Sequence, residues 1–595
     1  MLSAHSTESC TKQAMETKLL SSNPLTKQCM TRNLHASNDI ICTLSVTGGV
    51  RSFDMAMRIQ ERYWTAIPTW KDVTHEEFIS HRWQLNNTVM NNAKLYRFLS
   101  DTLPDVLGAT QNEHLKHIRT KEDFIRDAIS ALKLAPMAIR LTPHILSRVD
   151  WNNPLDDPIR RQFLPLKSGM IPDHEHMKLD SLNEEADSPV PGLVHRYPGR
   201  ALFLATSICP VYCRFCTRSY AVGGNTDTVA KRAQKPNRAR WEVIFKYIED
   251  NDSLQDIVLS GGDIFYLEPH LLREIVERLL SIPHIFRIRL ATKGLSVAPG
   301  RFLDTNDGWM DTLMDISNQG RKLGKQVCLH THINHASEIT WVTRMAARRL
   351  FAHGVIVRNQ TVLLNGVNNN PDAIKELITT LANINIQPYY VYQCDMVQGI
   401  EDLRTPLSEI LRLDKLMRGT LSGFMMPAFV IDLPGGGGKR LVSTYESYNE
   451  ETGLAEYRAP GLPGQKGEMI YRYYDPKPVH ESELAEFRAQ QESALHRGET
   501  LEQFAAAASP KAVAGTERLK KPSKPSPVLE PAPAIEHQSA TESKSASKLK
   551  LNDSEAKPRS KPIPRFERAP PTSPLPGLRY LPTPDTAERA MGARF

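Results

Sequence analysis

No stretch of the 595-residue chain stays apolar for the ~18 residues that a membrane-spanning helix needs, so no membrane partner is expected. Cysteine is scarce, with eight in the whole chain and three of those crowded together. That excludes a disulfide framework and points to a reducing, cytoplasmic compartment, with the mitochondrion as the alternative. Neither sign of charge dominates, since 74 Lys and Arg against 67 Asp and Glu leave a net charge of +7. The basic residues gather towards the C-terminal end, and no nucleic acid partner is expected for the core. No fourth Cys or His follows the crowded cysteines at finger spacing, and no cysteine follows Cys394, so no structural zinc is expected.

What is present centres on ALFLATSICPVYCRFCTRS, Ala201 to Ser219. The apolar run Ala201-Leu202-Phe203-Leu204-Ala205 follows an Arg-Tyr-Pro-Gly-Arg turn and reads as a strand buried on both faces. Cys209, Cys213 and Cys216 then lie in the loop that leaves it. Three thiolates at this spacing suit an iron–sulfur cluster with one iron left open, since such clusters ordinarily take four cysteines.

Apolar runs alternate with helical patterns from this point to Leu433. ALFLAT, DIVLSG, IRLAT, QVCLHT, VIVRNQTVLL, YYVYQ and FVIDL are separated by stretches such as LEPHLLREIVERLLS and PDAIKELITTLANI. Strand and helix in alternation imply right-handed crossovers and a parallel sheet, and polar residues just after each strand favour a complete or partial β/α barrel (TIM-like). The expected organisation is a disordered or targeting segment over 1–50, a helical N-terminal domain and connector over 51–190, and the barrel over 191–440. A C-terminal extension of the core follows over 441–497, then a disordered Pro-, Lys-, Ser- and Ala-rich tail over 498–595. Thr120 ahead of Glu122 and Asp123 is the start signal for one N-terminal helix.

Several motifs sit at strand ends. SGGD, Ser260-Gly261-Gly262-Asp263, has paired glycines that let backbone approach a ligand closely or form a plain turn. His332 and Gln360 are either ligand contacts or satisfied interior polar groups. IDLPGGGGKR suggests a phosphate loop, but Leu433 stands where that pattern needs Gly and Arg440 where it needs Ser or Thr, so a P-loop is rejected. Lys439 can instead form a Schiff base with pyridoxal phosphate, its pKa lowered by burial and the glycine amides receiving phosphate; otherwise it is a flexible surface lysine. Asp395 and Asp432 both end strands and can face one pocket, and Arg218 is close enough to the cysteines to clamp an anion through its fork.

The run HRYPGRALFLATSICPVYCRFCTRS resembles the lysine 2,3-aminomutase family of radical S-adenosylmethionine enzymes, and the likeness extends from about Pro136 to about Lys439. It implies an incomplete six-unit barrel and three cofactors: a 4Fe-4S cluster on the three cysteines, S-adenosyl-L-methionine on its open iron, and pyridoxal 5'-phosphate on Lys439. The resemblance also assigns roles residue by residue. Ser260, Gly261, Gly262 and Asp263 match the motif that contacts the methionyl amino group, His332 and Gln360 lie near the adenosyl portion, and Tyr197 and Arg200 accompany Lys439 at pyridoxal phosphate. Asp395 and Asp432 match the residues that hold the distal ammonium of lysine, and Arg218 the one that holds its α-carboxylate. The implied activity is isomerisation of L-lysine to β-lysine, with an electron donor as partner and a homo-oligomer as the expected assembly. The alternatives are an aminomutase of another amino acid, such as arginine or glutamate, and a non-catalytic iron–sulfur binding or regulatory protein. One stretch departs from the pattern: Lys293-Gly294 follows Thr292 where relatives carry a different pair.

Overall fold

The structure is a computed structural model that describes residues 62–232 and 234–495; the segments expected to be disordered, 1–50 and 498–595, lie outside the described residues. The longest helices ahead of the sheet among the described residues are α1 (Asn92–Thr102) and α2 (Lys121–Leu134). Thr120 caps α2 in a reciprocal box with Asp123, which satisfies backbone donors that the first turn leaves open. Phe124, Ile125, Ala128 and Ile129 form the buried face of α2. This apolar cluster continues into the barrel through Val211, Val297, Trp341 and Val342, so the N-terminal helices and the barrel share one core.

Nine strands follow, in one sheet whose order is the order of the chain. They are β1 (Leu193–Tyr197), β2 (Arg200–Thr206), β3 (Asp256–Gly261), β4 (Arg287–Ala291), β5 (Gln326–Thr331), β6 (Val357–Val362), β7 (Ile386–Tyr392), β8 (Ala428–Leu433) and β9 (Gly438–Leu441). From β2 to β8 every neighbour is parallel, while β1 and β9 return antiparallel at the two edges. Six crossover helices connect the parallel strands: α3 (Arg238–Glu249), α4 (Pro269–Ser281), α5 (Trp309–Lys322), α6 (Trp341–Ala352), α7 (Pro371–Asn383) and α8 (Leu407–Met417). The fold is thus a partial β/α barrel.

Strand alternation decides what faces where. Phe203, Ile257, Leu259, Ile288, Leu290, Val327 and Leu329 point outward into a single core beneath α3, α4 and α5. Leu259→Ala there is expected to cost about 2–5 kcal/mol, because a fully packed site collapses poorly around the lost volume. The intervening residues, among them Asp256, Ser260, Arg289, Gln360 and Asp432, are left for the other face of the sheet. A packed wall outside and polar groups inside is the arrangement a ligand-bearing barrel needs.

The barrel does not close by backbone pairing, since β1 and β9 are opposite edges of the sheet. Side chains span the seam instead: the Lys439 N–H donates to Tyr197 Oη at 2.8 Å. Gly438 has φ +70°, and a Cβ there would lie 2.3 Å from the same hydroxyl, so only glycine lets the edges approach this closely.

A small antiparallel sheet completes the described chain, β10 (Ser447–Asn449), β11 (Leu454–Arg458) and β12 (Ile470–Tyr474), followed by helix α9 (Glu481–Leu495). It buttresses the loop after β7: Tyr473 Oη accepts from Gln393 Nε2 at 2.8 Å and donates to the Cys394 carbonyl at 3.0 Å. Asp395 is the next residue. Helix α9 returns to the N-terminal part, with Glu492 paired to Lys167. No helix among the described residues is long and apolar enough to cross a membrane.

Candidate active site

The three expected cluster ligands, Cys209, Cys213 and Cys216, lie half-buried in the loop that leaves β2. Their loop is stapled on several sides. The Tyr212 and Arg214 N–H groups donate to the Arg140 and Gln162 carbonyls of the N-terminal connector at 3.2 and 3.0 Å. Gly223 N–H donates to the Ser207 carbonyl at 3.0 Å, and Arg214 pairs with Asp402 at 2.7 Å. Burial pushes the Cys213 thiol up to about 12 and also raises Cys216, while burial, Asp263 and the other two cysteines raise Cys209. Thiols this unwilling to ionise become ligands when metal charge compensates the thiolate. Among the described residues no three Cys, His, Asp or Glu side chains converge on one point as they do around a single ion. A cluster with several irons asks for something different, one sulfur per iron, and the donor set in this loop fits it.

The SGGD glycines are explained by the same loop. A Cβ on Gly261 would stand 2.2 Å from the Thr206 carbonyl oxygen, and one on Gly262 would stand 2.5 Å from that of Ile208. The Asp263 N–H donates to the Ile208 carbonyl at 2.9 Å, so the motif packs backbone to backbone beneath the first cysteine. Asp263 itself is buried, accepts from the N–H groups of Phe265 and Lys293 at 2.8 and 2.7 Å, and is pushed by burial up to about 6. Ser260 is buried beside it at the end of β3. The departure at Lys293 also finds its place: its ammonium donates to the His332 carbonyl at 2.7 Å and pairs with fully buried Glu338 at 3.2 Å. Glu338 accepts as well from Gln162 and from the backbone of Asn334 and His335, tying connector and β5 loop together.

His332 and Gln360 both reach the interior. His332 Nε2 is buried without a hydrogen-bond partner, and burial with the nearby Lys293 charge holds the ring neutral, its pKa lowered to about 3. Gln360 accepts from Tyr392 Oη at 2.7 Å, and the Tyr392 ring centroid lies 5.6 Å from Lys439 Nζ. Tyr392 therefore joins the Gln360 wall to the lysine.

At the seam, Lys439 Nζ is 2.6 Å from Asp432 Oδ2. Burial would lower the ammonium pKa, as expected from sequence, but Asp432, Tyr392 and Tyr197 outweigh it and the pKa is raised. The expectation of a depressed lysine pKa is thus corrected for the free protein, because a carboxylate one strand away holds the proton. Burial opposes ionisation of Asp432 too, yet Lys439 and Arg196 prevail and hold it below the usual range. Asp395 differs: burial first and repulsion by Asp432 second push its carboxyl well up. Oδ1 of each aspartate is buried with no hydrogen-bond partner. The two carboxylates thus lie near Lys439, each with an oxygen that accepts no hydrogen bond, and Arg196 Nη1 stands 3.9 Å from Asp432 Oδ1.

Beside them opens a cavity of about 430 Å³, lined by Tyr197, Arg200, Asp256, Arg287, Lys439 and Arg440 among others. The Arg200 guanidinium stacks 3.7 Å over the Tyr197 ring. Asp256 is already engaged by Arg289 at 2.8 Å and Arg287 at 3.5 Å, while Arg440 Nε is buried without a partner. Cationic groups with unfilled donors beside a lysine fit the phosphate and aldehyde ends of pyridoxal phosphate. The glycine run contributes less than its sequence suggests. The Gly435 N–H is spent on the Ser181 carbonyl at 2.8 Å, and a Cβ on Gly437 would stand 2.6 Å from the Tyr471 ring.

Arg218 holds a carboxylate already. Its Nε and Nη2 donate to the two oxygens of buried Glu184 at 2.8 and 2.9 Å, and Tyr220 Oη donates to Glu184 at 3.1 Å. Glu184 was not legible beforehand, nor was Asp187, which pairs with Arg196 at 2.6 Å. Both lie in SLNEEADSPVPG, whose turn residues mark a connector and whose acids look like solvated surface.

No family model matches the chain. Curated relatives do. The L-lysine 2,3-aminomutase of Bacillus subtilis (strain 168) is 36% identical over 379 residues, covering 64% of this chain and 72% of that one. That of Clostridium subterminale is 34% identical over 369 residues, covering 62% and 79%. The glutamate 2,3-aminomutase of Clostridioides difficile is 29% identical over 366 residues, covering 62% and 77%. Among solved structures, Streptococcus suis SuiB bound to S-adenosylmethionine aligns at a TM-score of 0.30 and 14% identity over 40% of this chain and 51% of that one, too loosely to bear on function. With about a third of the aligned residues identical to each of the two lysine enzymes, over 72% and 79% of their length, the chain belongs to the L-lysine 2,3-aminomutase family.

Proposed function

We propose that the protein is an isomerase that moves the α-amino group of L-lysine to the β-carbon, giving β-lysine. Cys209, Cys213 and Cys216 hold a 4Fe-4S cluster, the SGGD loop, His332 and Gln360 flank S-adenosyl-L-methionine, and Lys439 with Tyr197 and Arg200 holds pyridoxal 5'-phosphate. When bound, these groups would supply a carbon-centred radical and a conjugated aldehyde that carries the amino nitrogen as it moves between substrate carbons, with one electron drawn from an external donor. The chain's own part is positioning, charge matching and exclusion of water.

The observation that carries the substrate is the pair Asp395 and Asp432, each with a buried acceptor unfilled. In the free protein Lys439 supplies the one ammonium near them. When Lys439 is engaged by the cofactor, the substrate's distal ammonium takes over that place, and Asp395 gives up its proton to become the second anionic partner. Leaving such a charge buried without a partner costs about 3–5 kcal/mol, which sets the selectivity for a cationic side chain. Glutamate would add a third carboxylate where two already repel one another. Arginine also meets the charge requirement, so only the length of the pocket can tell it from lysine.

The test is anaerobic reconstitution with iron, sulfide and pyridoxal phosphate, then product analysis with each amino acid. β-Lysine from lysine, little product from arginine and none from glutamate are expected. Rapid β-glutamate formation would overturn the assignment.

A further inference from the structure

The connector between the N-terminal helices and β1 carries a carboxylate into the site. Its backbone is fixed there: Asp180 accepts from the Glu184 and Glu185 N–H groups at 2.9 and 3.0 Å, and the Ser188 hydroxyl donates to the Glu184 carbonyl at 2.8 Å. A parallel bridge between Lys178 and Val397 lays the same connector against the loop that bears Asp395. The Glu184 side chain is only 6% exposed, and with Tyr220 on Oε2 and Arg218 on both oxygens its carboxylate has no freedom to turn.

Both bonds from Arg218 use the Nε and Nη2 side of the guanidinium. A guanidinium has a second two-donor edge, formed by Nη1 and the other hydrogen of Nη2, and that edge matches a second carboxylate. We propose that Glu184 is a positioning residue that clamps one side of Arg218 so that the other edge faces the α-carboxylate of the amino-acid substrate. This rests on the substrate role given to Arg218 above. The pair also explains how a half-buried arginine coexists with the ammonium end of the pocket. Glu184 and Arg218 act on Asp395 in opposite senses, one raising and one lowering its pKa, so together they add little net charge beside it. Carboxylate recognition then depends on a directed edge rather than on excess positive charge.

The experiment compares two ligands on the reconstituted, pyridoxal phosphate-loaded full chain by titration calorimetry. L-Lysine carries the carboxylate; 1,5-diaminopentane keeps both amines and lacks it. Glu184→Ala is expected to weaken lysine binding by on the order of 10- to 100-fold, the range for a hydrogen bond to a charged group, and to leave the diamine unchanged. Glu184→Gln keeps one acceptor oxygen and is expected to lose less, and Tyr220→Phe, which only loosens the clamp, less again. Equal loss for both ligands, or lysine affinity unchanged in Glu184→Ala and Glu184→Gln, would overturn the proposal. If Glu184→Ala fails to fold, Glu184→Gln and Tyr220→Phe decide it by the same lysine-to-diamine ratio. Arg218→Ala separates the two ideas. Loss of the lysine preference there with its retention in the Glu184 variants refutes the clamp alone, whereas retention in Arg218→Ala refutes the role of Arg218 itself.

Discussion

The cysteine loop and the lysine seam lie in one barrel but are built in opposite ways. The loop after β2 is held by backbone: connector carbonyls take its N–H groups, and the SGGD turn packs against Thr206 and Ile208 with no room for a Cβ. The seam between β1 and β9 lacks backbone pairing and is spanned by a tyrosine hydroxyl, with an arginine stacked on that ring on one side and a lysine–aspartate pair on the other, beside an open cavity. A rigid loop suits ligands that must meet a cluster in fixed places. A side-chain seam suits a group that enters, forms a covalent bond to lysine and exchanges its partners.

The difference is broken most severely by losing a ligand on the rigid side. Cys213→Ala is expected to abolish the cluster absorbance and reductive cleavage of S-adenosylmethionine, while pyridoxal phosphate still binds at the seam. Concurrent loss of both cofactors, read from the visible spectrum, would show that the two regions are not independent. On the seam side, Asp395→Ala is expected to lower lysine turnover about 100-fold or more, because the ammonium loses a buried partner, while slow cleavage of S-adenosylmethionine continues. Unchanged turnover would remove Asp395 from substrate binding.

A third prediction uses pH. Burial and Asp432 raise the Asp395 carboxyl, so in the free protein it keeps its proton to higher pH than an ordinary aspartate. The ionised form is the one that pairs with an ammonium. Lysine affinity should therefore rise with pH below the raised Asp395 pKa, by up to about tenfold per unit for one linked proton, and level off above it. Calorimetry in buffers of different ionisation enthalpy should detect proton release on binding below that pKa, and proton uptake would contradict the sign.

The smallest effects sharpen the contrast. Gly262→Ala meets the Ile208 carbonyl and is expected to cost about 1–3 kcal/mol of stability, because backbone there cannot yield. Gly438→Ala meets the Tyr197 hydroxyl, and its main effect should be weaker pyridoxal phosphate binding as the seam is pushed apart. Thermal unfolding and cofactor titration of the two variants separate these outcomes.

The seven parallel strands were legible because each is an apolar run whose outward residues feed a core, one cluster taking β2 to β6 and a second taking β8, and Thr120 announced α2 by its capping pattern. Motif residues were legible as types at strand ends. What they touch was not. SGGD reads as a ligand loop, yet its glycines answer to the cysteine loop's backbone, and Lys293 reads as a substitution in a pocket wall, yet it pairs with Glu338, which no local pattern marks. Glu184 and Arg440 were missed for the same reason: a charged residue in a connector or at a strand edge looks solvated until distant chain is folded over it.

In the proposed function the unclosed seam holds pyridoxal phosphate covalently through Lys439. Borohydride reduction of the cofactor-loaded protein, followed by peptide mapping, is the decisive experiment. The pyridoxyl group should be found on Lys439, and its recovery on another lysine, or on none, would contradict the claim.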